Sequence, residues 1–201
     1  MATKLEELEL SEEKDIWTYI WGNSFSTHQC YIHLTGHRPT HPVFSWLWNS
    51  KCQPKHKVFF WLVLRDRLTT RNILRRKNMA LPSYDCVLCS NPTEETLFHL
   101  LLGCPFAEEC WIRLGLFVDL TAEPYAILES FKTQLQVPFF MELIILMSWS
   151  IWTTRNDLIF EGNQATITGC FARFKQHLTL LLHRVKEEWK ERVSLWMQSH
   201  L

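Results

Sequence analysis

The sequence lacks an apolar run long enough to cross a lipid bilayer. Its most apolar stretch, residues 138–152, contains Glu142 and is shorter than the roughly 20 residues that a spanning helix needs. The N-terminus lacks a basic start followed by an apolar block, because Met1 to Glu13 is rich in glutamate. We therefore expect no membrane partner and an intracellular protein, nuclear or cytoplasmic, that is not secreted.

Patterns typical of a catalytic site are also missing. No pair of Asp or Glu residues stands against an apolar surround as a general acid and base. The seven cysteines are an odd number, and a reducing compartment favours metal ligands and buried thiols over disulfides. We predict a protein that is not an enzyme and has no disulfide framework.

The chain has no net charge, because 21 Lys and Arg residues balance 21 Asp and Glu residues, but these charges are distributed unevenly along the sequence. Between Lys51 and Lys77, nine basic residues accompany one acid, Asp66, which leaves a local charge of +8. Such a segment is typical of a surface that contacts nucleic-acid phosphates, and the alternative is a solvated helix face. The candidate phosphate contacts are Lys55, Lys57, Arg65, Arg67, Arg71, Arg75, Arg76 and Lys77.

A group of four metal-binding side chains follows this basic segment, with the spacing C-x2-C-x9-H-x4-C. Its members are Cys86, Cys89, His99 and Cys104. Two cysteines two residues apart can reach one ion from a tight turn, and a later His and Cys complete the tetrahedron that zinc prefers. A set of four protein ligands leaves no position for water, so we predict one structural Zn²⁺. Cys110 is an alternative to Cys104, although its position favours a core thiol.

The pattern of apolar residues predicts a mainly α-helical fold. Alternating aromatic residues in Asp15–Ser26 predict a small β-hairpin. The motif Asn91-Pro92-Thr93-Glu94 predicts a capped helix that runs from Pro92 to Gly103 between the two ligand pairs. Apolar residues at steps of three and four predict one long amphipathic helix over residues 165–199, which needs a neighbour.

These predictions divide the chain into three segments. Residues 1–14 form an acidic lead-in, residues 15–115 a zinc-stapled helical module, and residues 116–201 a C-terminal bundle of long helices. The apolar content of 47%, with 10 Trp and 13 Phe, implies a large aromatic core or an apolar surface that expects a partner.

A series of short motifs over about half of the chain resembles the reverse-transcriptase zinc-binding domain of plant LINE-type retrotransposon polyproteins. A following segment, with Ile151-Trp152, Arg155-Asn156 and Ile159-Phe160-Glu161, looks like the helical region that often comes after this domain. The motifs that carry the resemblance are Asp15 with Trp17, Phe25-Ser26, Tyr31, Trp46-Leu-Trp48, Pro54-Lys55-His-Lys57, Phe59-Phe60-Trp61, Arg67-Leu68-Thr69-Thr70, Leu74-Arg75-Arg76, Cys86-x-x-Cys89, Glu95-Thr96-x-x-His99-Leu100, Cys104-Pro105-Phe106-Ala107 and Trp111.

The resemblance implies a zinc-stabilised helical module that assists nucleic-acid handling beside a polymerase. The Tyr-x-Asp-Asp polymerase signature is absent from this sequence. We therefore expect a retrotransposon-derived, non-catalytic module that binds RNA or single-stranded DNA without sequence specificity. The alternative is a protein-interaction or structural module, which self-associates or contacts a polymerase through residues 165–199, or a retroelement relic without function.

Overall fold

The computed structural model describes residues 17–36 and 40–201, and the regular secondary structure in this part of the chain is helical. The chain divides into two compact units, residues 1–40 and residues 41–201. The α-helices are α1 (Thr27–Thr35) in the first unit and, in the second, α2 (Pro42–Asn49), α3 (Pro54–Leu64), α4 (Arg71–Arg76), α5 (Pro105–Arg113), α6 (Pro124–Leu135), α7 (Phe140–Phe160), α8 (Ile167–Leu182) and α9 (Glu187–His200). A short π-helix, His99–Gly103, lies between α4 and α5.

The predicted β-hairpin is wrong for the described part of Asp15–Ser26, and Asp15 and Ile16 lie outside the described residues. Tyr19 and Gly22 form an isolated bridge of two reciprocal backbone hydrogen bonds, both 3.0 Å, and no strand extends from it over residues 17–36. The alternating aromatic pattern has a local explanation, because the Tyr19 and Trp21 rings stack with centroids 5.4 Å apart. Ser26 then caps α1 at once by accepting a hydrogen bond from the Gln29 N–H.

Proline determines where several helices of the second unit begin. α2, α3, α5 and α6 each carry Pro at their first position, where the missing N–H is not needed and the fixed φ suits the helix. α3 therefore begins at Pro54 and α5 at Pro105.

α7 is the centre of the second unit. Thirteen of its 21 residues are buried, from Phe140 to Arg155, and it packs against α3, α6, α8 and the π-helix. The apolar stretch of residues 138–152 therefore lies mostly in this core helix. Within the described residues no single helix has both the length and the apolarity to cross a membrane; α6 and α7 meet that requirement only as a pair, bent by 118° at their junction.

The predicted single helix over residues 165–199 is wrong, because the chain breaks between α8 and α9. At 1.5 Å per residue, a straight helix over this range would be about 50 Å long, whereas α7, its partner, spans about 30 Å. α8 therefore packs along α7 and ends, and α9 turns so that Trp189 and Trp196 contact Phe139, each with ring centroids 6.2 Å apart.

One hydrophobic core extends through residues 41–201. It joins Leu47 and Phe60 of the N-terminal helices to Leu143 of α7 and Leu178 of α8. The predicted boundary at residue 115 stays a prediction about sequence modules, and the described residues on its two sides share this core.

Candidate metal centre and the basic surface beside it

The structure brings the four predicted metal ligands together. One potential ligand atom from each of Cys86, Cys89, His99 and Cys104 lies within 4.8 Å of every other. The Cys86 and Cys104 Sγ atoms are 3.8 Å apart, and Cys89 Sγ is 3.4 Å from His99 Nε2. Cys86 and Cys104 are buried, whereas Cys89 and His99 are half-buried.

These separations fit a tetrahedral zinc ion. With Zn–S bonds of about 2.3 Å and a Zn–N bond of about 2.0 Å, two sulfur ligands lie about 3.8 Å apart, and a sulfur and a nitrogen about 3.5 Å. Three thiolates and one imidazole also match zinc in chemical softness. The residues present could therefore hold the ion, and with four protein donors they would leave no place in a tetrahedron for a reactive water.

The surroundings of the four side chains shift their pKa values in different directions. The contact with Cys104, followed by burial, raises the pKa of Cys86, and the same contact lowers the pKa of Cys104. Burial raises the pKa of Cys89. Burial also lowers the pKa of His99, which favours the neutral imidazole that binds a metal.

A tight loop presents Cys86 and Cys89. The Cys86 N–H donates to the Thr93 carbonyl at 2.8 Å, and the Glu95 N–H donates to the Tyr84 carbonyl at 2.9 Å. An antiparallel bridge between Asp85 and Glu94 lies between these two bonds. We call residues 84–95 the metal loop.

The helix predicted from Pro92 is wrong, because helical structure begins only at Leu97. The Asn91-Pro92-Thr93-Glu94 motif belongs to the metal loop, where its backbone pairs with the segment that carries Cys86. The Thr96 hydroxyl caps the later start by accepting a hydrogen bond from the His99 N–H at 3.0 Å. The capping pattern was therefore overridden by cross-loop hydrogen bonds that local sequence does not reveal.

The π-helix explains how His99 and Cys104 meet across four intervening residues. In an α-helix, residues five apart point about 140° away from each other around the axis. Here the Cys104 N–H donates to the His99 carbonyl, five residues back, at 2.6 Å. This wider turn brings the two positions to the same side. Cys104 then leaves the helix with extended backbone, and Pro105 begins α5.

Cys110, the alternative fourth ligand, lies elsewhere. It is fully buried in α5, and its Sγ is 3.9 Å from the Sγ of Cys170 in α8. It is not part of the four-residue group.

The metal loop also holds the basic helix α4 in place. The Glu95 carboxylate accepts a hydrogen bond from the Arg71 N–H at 3.0 Å, and the Glu95 carbonyl accepts one from the Asn72 N–H at 3.3 Å. These bonds satisfy N–H groups at the start of α4 that have no partner within the helix. The Arg71 guanidinium donates to the carbonyls of Ser83 and Asp85. This use of the guanidinium favours a positioning role for Arg71 over the predicted phosphate contact.

A buried ion pair joins Glu95 to the central helix. Arg155 of α7 makes two hydrogen bonds to the Glu95 carboxylate, Nη2 to Oε1 at 2.5 Å and Nε to Oε2 at 3.2 Å. The Glu95 side chain is 0% exposed and that of Arg155 only 4%. The forked, two-bond arrangement is the strong form of such a pair.

The predicted phosphate contacts on α3 contact other parts of the protein. Lys57 Nζ donates to the Trp48 carbonyl at 2.9 Å. Lys55 lies over the Trp149 ring and Arg65 over the Phe44 ring, at 5.6 and 5.0 Å from the ring centroids. Lys55 and Arg65 remain exposed at the surface.

Four other basic residues are exposed on α4 and its flanks: Arg67, Arg75, Arg76 and Lys77. Arg75 is 3.5 Å from Glu94, and Arg76 is 3.8 Å from Asp66, with both arginine side chains more than 60% exposed. Ion pairs of this kind contribute little and can be exchanged for other anions. We call Arg67, Arg75, Arg76 and Lys77 the α4 basic surface.

Sequence reasoning missed the structural roles of Glu95 and Arg155, and it also missed Arg184. Glu95 lies in a motif that carries the family resemblance and Arg155 in the helical segment that follows, but no local pattern pairs residues 60 positions apart. Arg184, between α8 and α9, shares a cavity of about 370 Å³ with Lys51 and Lys57. Arg184 lies far along the chain from the basic segment, which ends at Lys77, and no sequence pattern relates the two.

Comparison with known proteins agrees with the geometry. Residues 25–111 match the family described as zinc-binding in reverse transcriptase. A protein of Arabidopsis thaliana, provisionally named a ribonuclease H protein, is 26% identical over 102 residues, which cover 49% of this chain and 16% of that protein. The matched segment therefore spans less than a fifth of that relative's length. No solved structure matches. Residues 25–111 of this chain are therefore similar to the family of domains described as zinc-binding in reverse transcriptase.

Proposed function

We propose that this protein is a retroelement-derived module, stabilised by one zinc ion, that binds RNA or single-stranded DNA without sequence specificity and has no catalytic activity of its own. The observation that carries the proposal is the cluster of Cys86, Cys89, His99 and Cys104, whose donor atoms lie within 4.8 Å of one another. Because the set holds four protein ligands, it suits a structural zinc and not a hydrolytic one.

The zinc would act by stabilising the surface next to it. It would join the metal loop to the π-helix, and the same loop holds the start of α4 through Glu95 and Arg71. The exposed cations of α4 would then stand on a rigid support. A rigid array loses less conformational entropy when it binds phosphates than a flexible one does.

The α4 basic surface supports the nucleic-acid part of the proposal. Arg75, Arg76 and Lys77 follow one another at the end of α4, and Arg67 precedes it. Arg75 and Arg76 make long, exposed ion pairs, and Arg75 also lies over the Tyr84 ring at 5.6 Å from its centroid. Phosphates can compete for exposed ion pairs of this kind. Such contacts confer affinity without base readout, and that affinity falls as salt rises.

Metal analysis of the purified chain tests the zinc site. We expect about one zinc per chain in the wild type and loss of the metal in Cys86→Ser, together with a lower midpoint of thermal unfolding, because a structural site couples ion binding to folding. Cys30→Ser is the matched control, since Cys30 is a half-buried thiol outside the cluster. A wild type that is equally stable with and without zinc would refute the site.

Anisotropy of a labelled single-stranded oligonucleotide tests the surface. The triple variant Arg75→Gln, Arg76→Gln, Lys77→Gln should bind more weakly and reduce the slope of log affinity against log salt by about 2. The control triple Lys175→Gln, Lys190→Gln, Arg192→Gln removes the same charge from α8 and α9 and should bind like the wild type. Equal affinity of the two triples would contradict the proposal.

Association through residues 165–199 stays a prediction. In the structure the apolar stripe that motivated it is covered, because Phe174, Leu178 and Leu181 of α8 and Val193 of α9 are buried within the second unit. We therefore do not propose this segment as a docking surface.

A further inference from the structure

A half-open cavity of about 420 Å³ lies between α3, α4, the π-helix, α6 and α7. Its walls are mainly apolar and include the rings of Phe60, Phe98, Trp111, Tyr125 and Phe131. Phe98 is 38% exposed and Tyr125 is half-buried, so aromatic surface is available from solvent. The size, the apolar lining and the few polar groups are those of a ligand pocket.

Polar side chains also line this pocket. Arg76 of α4 is 64% exposed and pairs with Asp66 at 3.8 Å. Asn72, Thr96 and Glu123 contribute an amide, a hydroxyl and a second carboxylate. The pocket therefore combines aromatic walls with hydrogen-bonding groups and a cation.

The pocket adjoins the α4 basic surface. Arg76 belongs to both, and Arg75 and Lys77 are its chain neighbours. A ligand with a flat apolar body and an anion attached to it would place the body among the rings and the anion on these cations. Nucleotides have this composition, and proteins commonly hold unpaired bases by stacking them on aromatic side chains.

We propose that the pocket receives one unpaired nucleobase of a bound strand, while the flanking phosphates contact Arg75, Arg76 and Lys77. The inference rests on the proposed function and makes it narrower, because it names single-stranded or bulged nucleic acid as the ligand. The ring faces of the base would contact Phe98 and Tyr125. Asp66 and Glu123 could accept hydrogen bonds from an exocyclic amino group, as carboxylates do from cytosine.

The charge of the surroundings favours a base over an apolar protein side chain. An apolar side chain in the pocket would leave Arg76 and its neighbours without a partner on the ligand, whereas a nucleotide provides a phosphate for them. Phe98 immediately precedes the π-helix, and the metal ligand His99 is the first residue of that helix, so occupation of the pocket is connected to the metal centre through adjacent residues.

Binding of two RNA hairpins to the full, zinc-loaded chain tests the inference. The hairpins share one sequence, and one of them carries a single bulged 2-aminopurine. We expect about tenfold tighter binding of the bulged hairpin, the order of magnitude that base–aromatic stacking provides, and a change in 2-aminopurine fluorescence on binding. Phe98→Ala should remove both the preference and the fluorescence change, whereas Phe98→Tyr should keep them.

Phe160→Ala is the matched control, because Phe160 is an exposed phenylalanine, 77% accessible, outside the pocket. It should behave like the wild type. If Phe98→Ala fails to fold, the change in 2-aminopurine fluorescence with the wild-type protein still tests whether the base enters the pocket.

If the two hairpins bind with equal, salt-dependent affinity, the assignment of the pocket is wrong and the proposed function stands. Absence of binding to either hairpin would overturn the proposed function as well. An apolar dye that occupies the pocket and is not displaced by the bulged hairpin would point to a protein ligand and would also overturn the inference.

Discussion

A single carboxylate, that of Glu95, connects the metal loop, the basic helix and the core. It accepts a hydrogen bond from the start of α4 and two from Arg155 of α7. Burial of such a charge is tolerated only when its partners satisfy it, because desolvation of an unpaired carboxylate is costly. Glu95 therefore makes the position of the basic surface depend on a residue far along the chain.

At this scale we expect Arg155→Met to destabilise the fold by about 3–5 kcal/mol, because it leaves the Glu95 charge buried and unpaired. The double variant Glu95→Gln, Arg155→Met should recover much of this loss, since the amide oxygen can still accept from the Arg71 N–H. Urea unfolding measures all three proteins. Lys190→Ala, which removes an exposed pair with Glu187, is the control and should change stability by less than about 1 kcal/mol. An Arg155→Met protein as stable as this control would contradict the role of the pair.

A buried histidine makes stability depend on pH. His56 is 2% exposed, its ring is 5.1 Å from that of His177, and neither of its nitrogens forms a hydrogen bond with the described residues. Burial, with smaller contributions from His177, Lys55 and Arg184, lowers the pKa of His56 to about 4. The pKa of an unfolded histidine is about 6.5, so between these values the unfolded chain binds more protons than the folded one.

The free energy of unfolding should therefore have its full value above about pH 6.5 and decrease as the pH falls towards 4. His56 alone should account for a decrease of about 3 kcal/mol. The lowered pKa of His177 adds to the same trend. His56→Gln should reduce the slope of stability against pH, and the exposed His28→Gln should not. Comparison at equal zinc content separates this effect from protonation of the metal ligands. Equal slopes for wild type and His56→Gln would contradict it.

At the scale of elements, the break between α8 and α9 can be tested with proline. Lys186 has φ −69° and ψ 160°, the extended conformation that a residue before proline prefers, and Glu187 is the first residue of α9. We expect Glu187→Pro to change stability by less than about 1 kcal/mol. Glu191→Pro, within α9, should cost about 3 kcal/mol or more. Thermal unfolding measures both variants, and a large loss for Glu187→Pro would favour a continuous helix.

The metal loop and the π-helix show how two unusual elements form one site. The loop uses cross-chain hydrogen bonds to bring two cysteines together, and the π-helix widens one turn so that His99 and Cys104 face the same way. The π-helix buries Leu100 and Leu101, whereas only Cys86 and Glu95 of the metal loop are buried. The geometry of the metal loop is therefore the part of the molecule that metal binding should stabilise most.

On the scale of the whole molecule, the central position of α7 implies that the second unit unfolds as one body. α7 packs against α3, α6, α8 and the π-helix, and it supplies the partner of Glu95. We expect a single cooperative transition for residues 41–201 in calorimetry. A fragment of residues 41–115 should lack a stable fold even with zinc, because it would expose the surfaces that α7 covers. A dispersed amide spectrum for that fragment would contradict this expectation.

The sequence alone determined the features that depend on neighbouring residues. The starts of α3 and α5 follow from proline, the apolar core helix follows from composition, and the four clustered side chains follow from the spacing of Cys86, Cys89, His99 and Cys104. These features could be predicted because local propensity and short-range ligand spacing do not depend on the rest of the fold.

Only the tertiary structure decided the features that depend on distant partners. Residues 92–95 form cross-loop hydrogen bonds in place of the helix expected at Pro92. Residues 165–199 form two helices, because one straight helix would be longer than α7. The aromatic rings of Tyr19 and Trp21 stack on each other, and no strand forms in the described residues 17–36. The pairing of Glu95 with Arg155, and the pocket beside α4, arise from residues tens of positions apart. The physical reason is that apolar side chains and buried charges find their partners in three dimensions. The order of residues along the chain shows which residues need a partner, but not which partner each of them contacts.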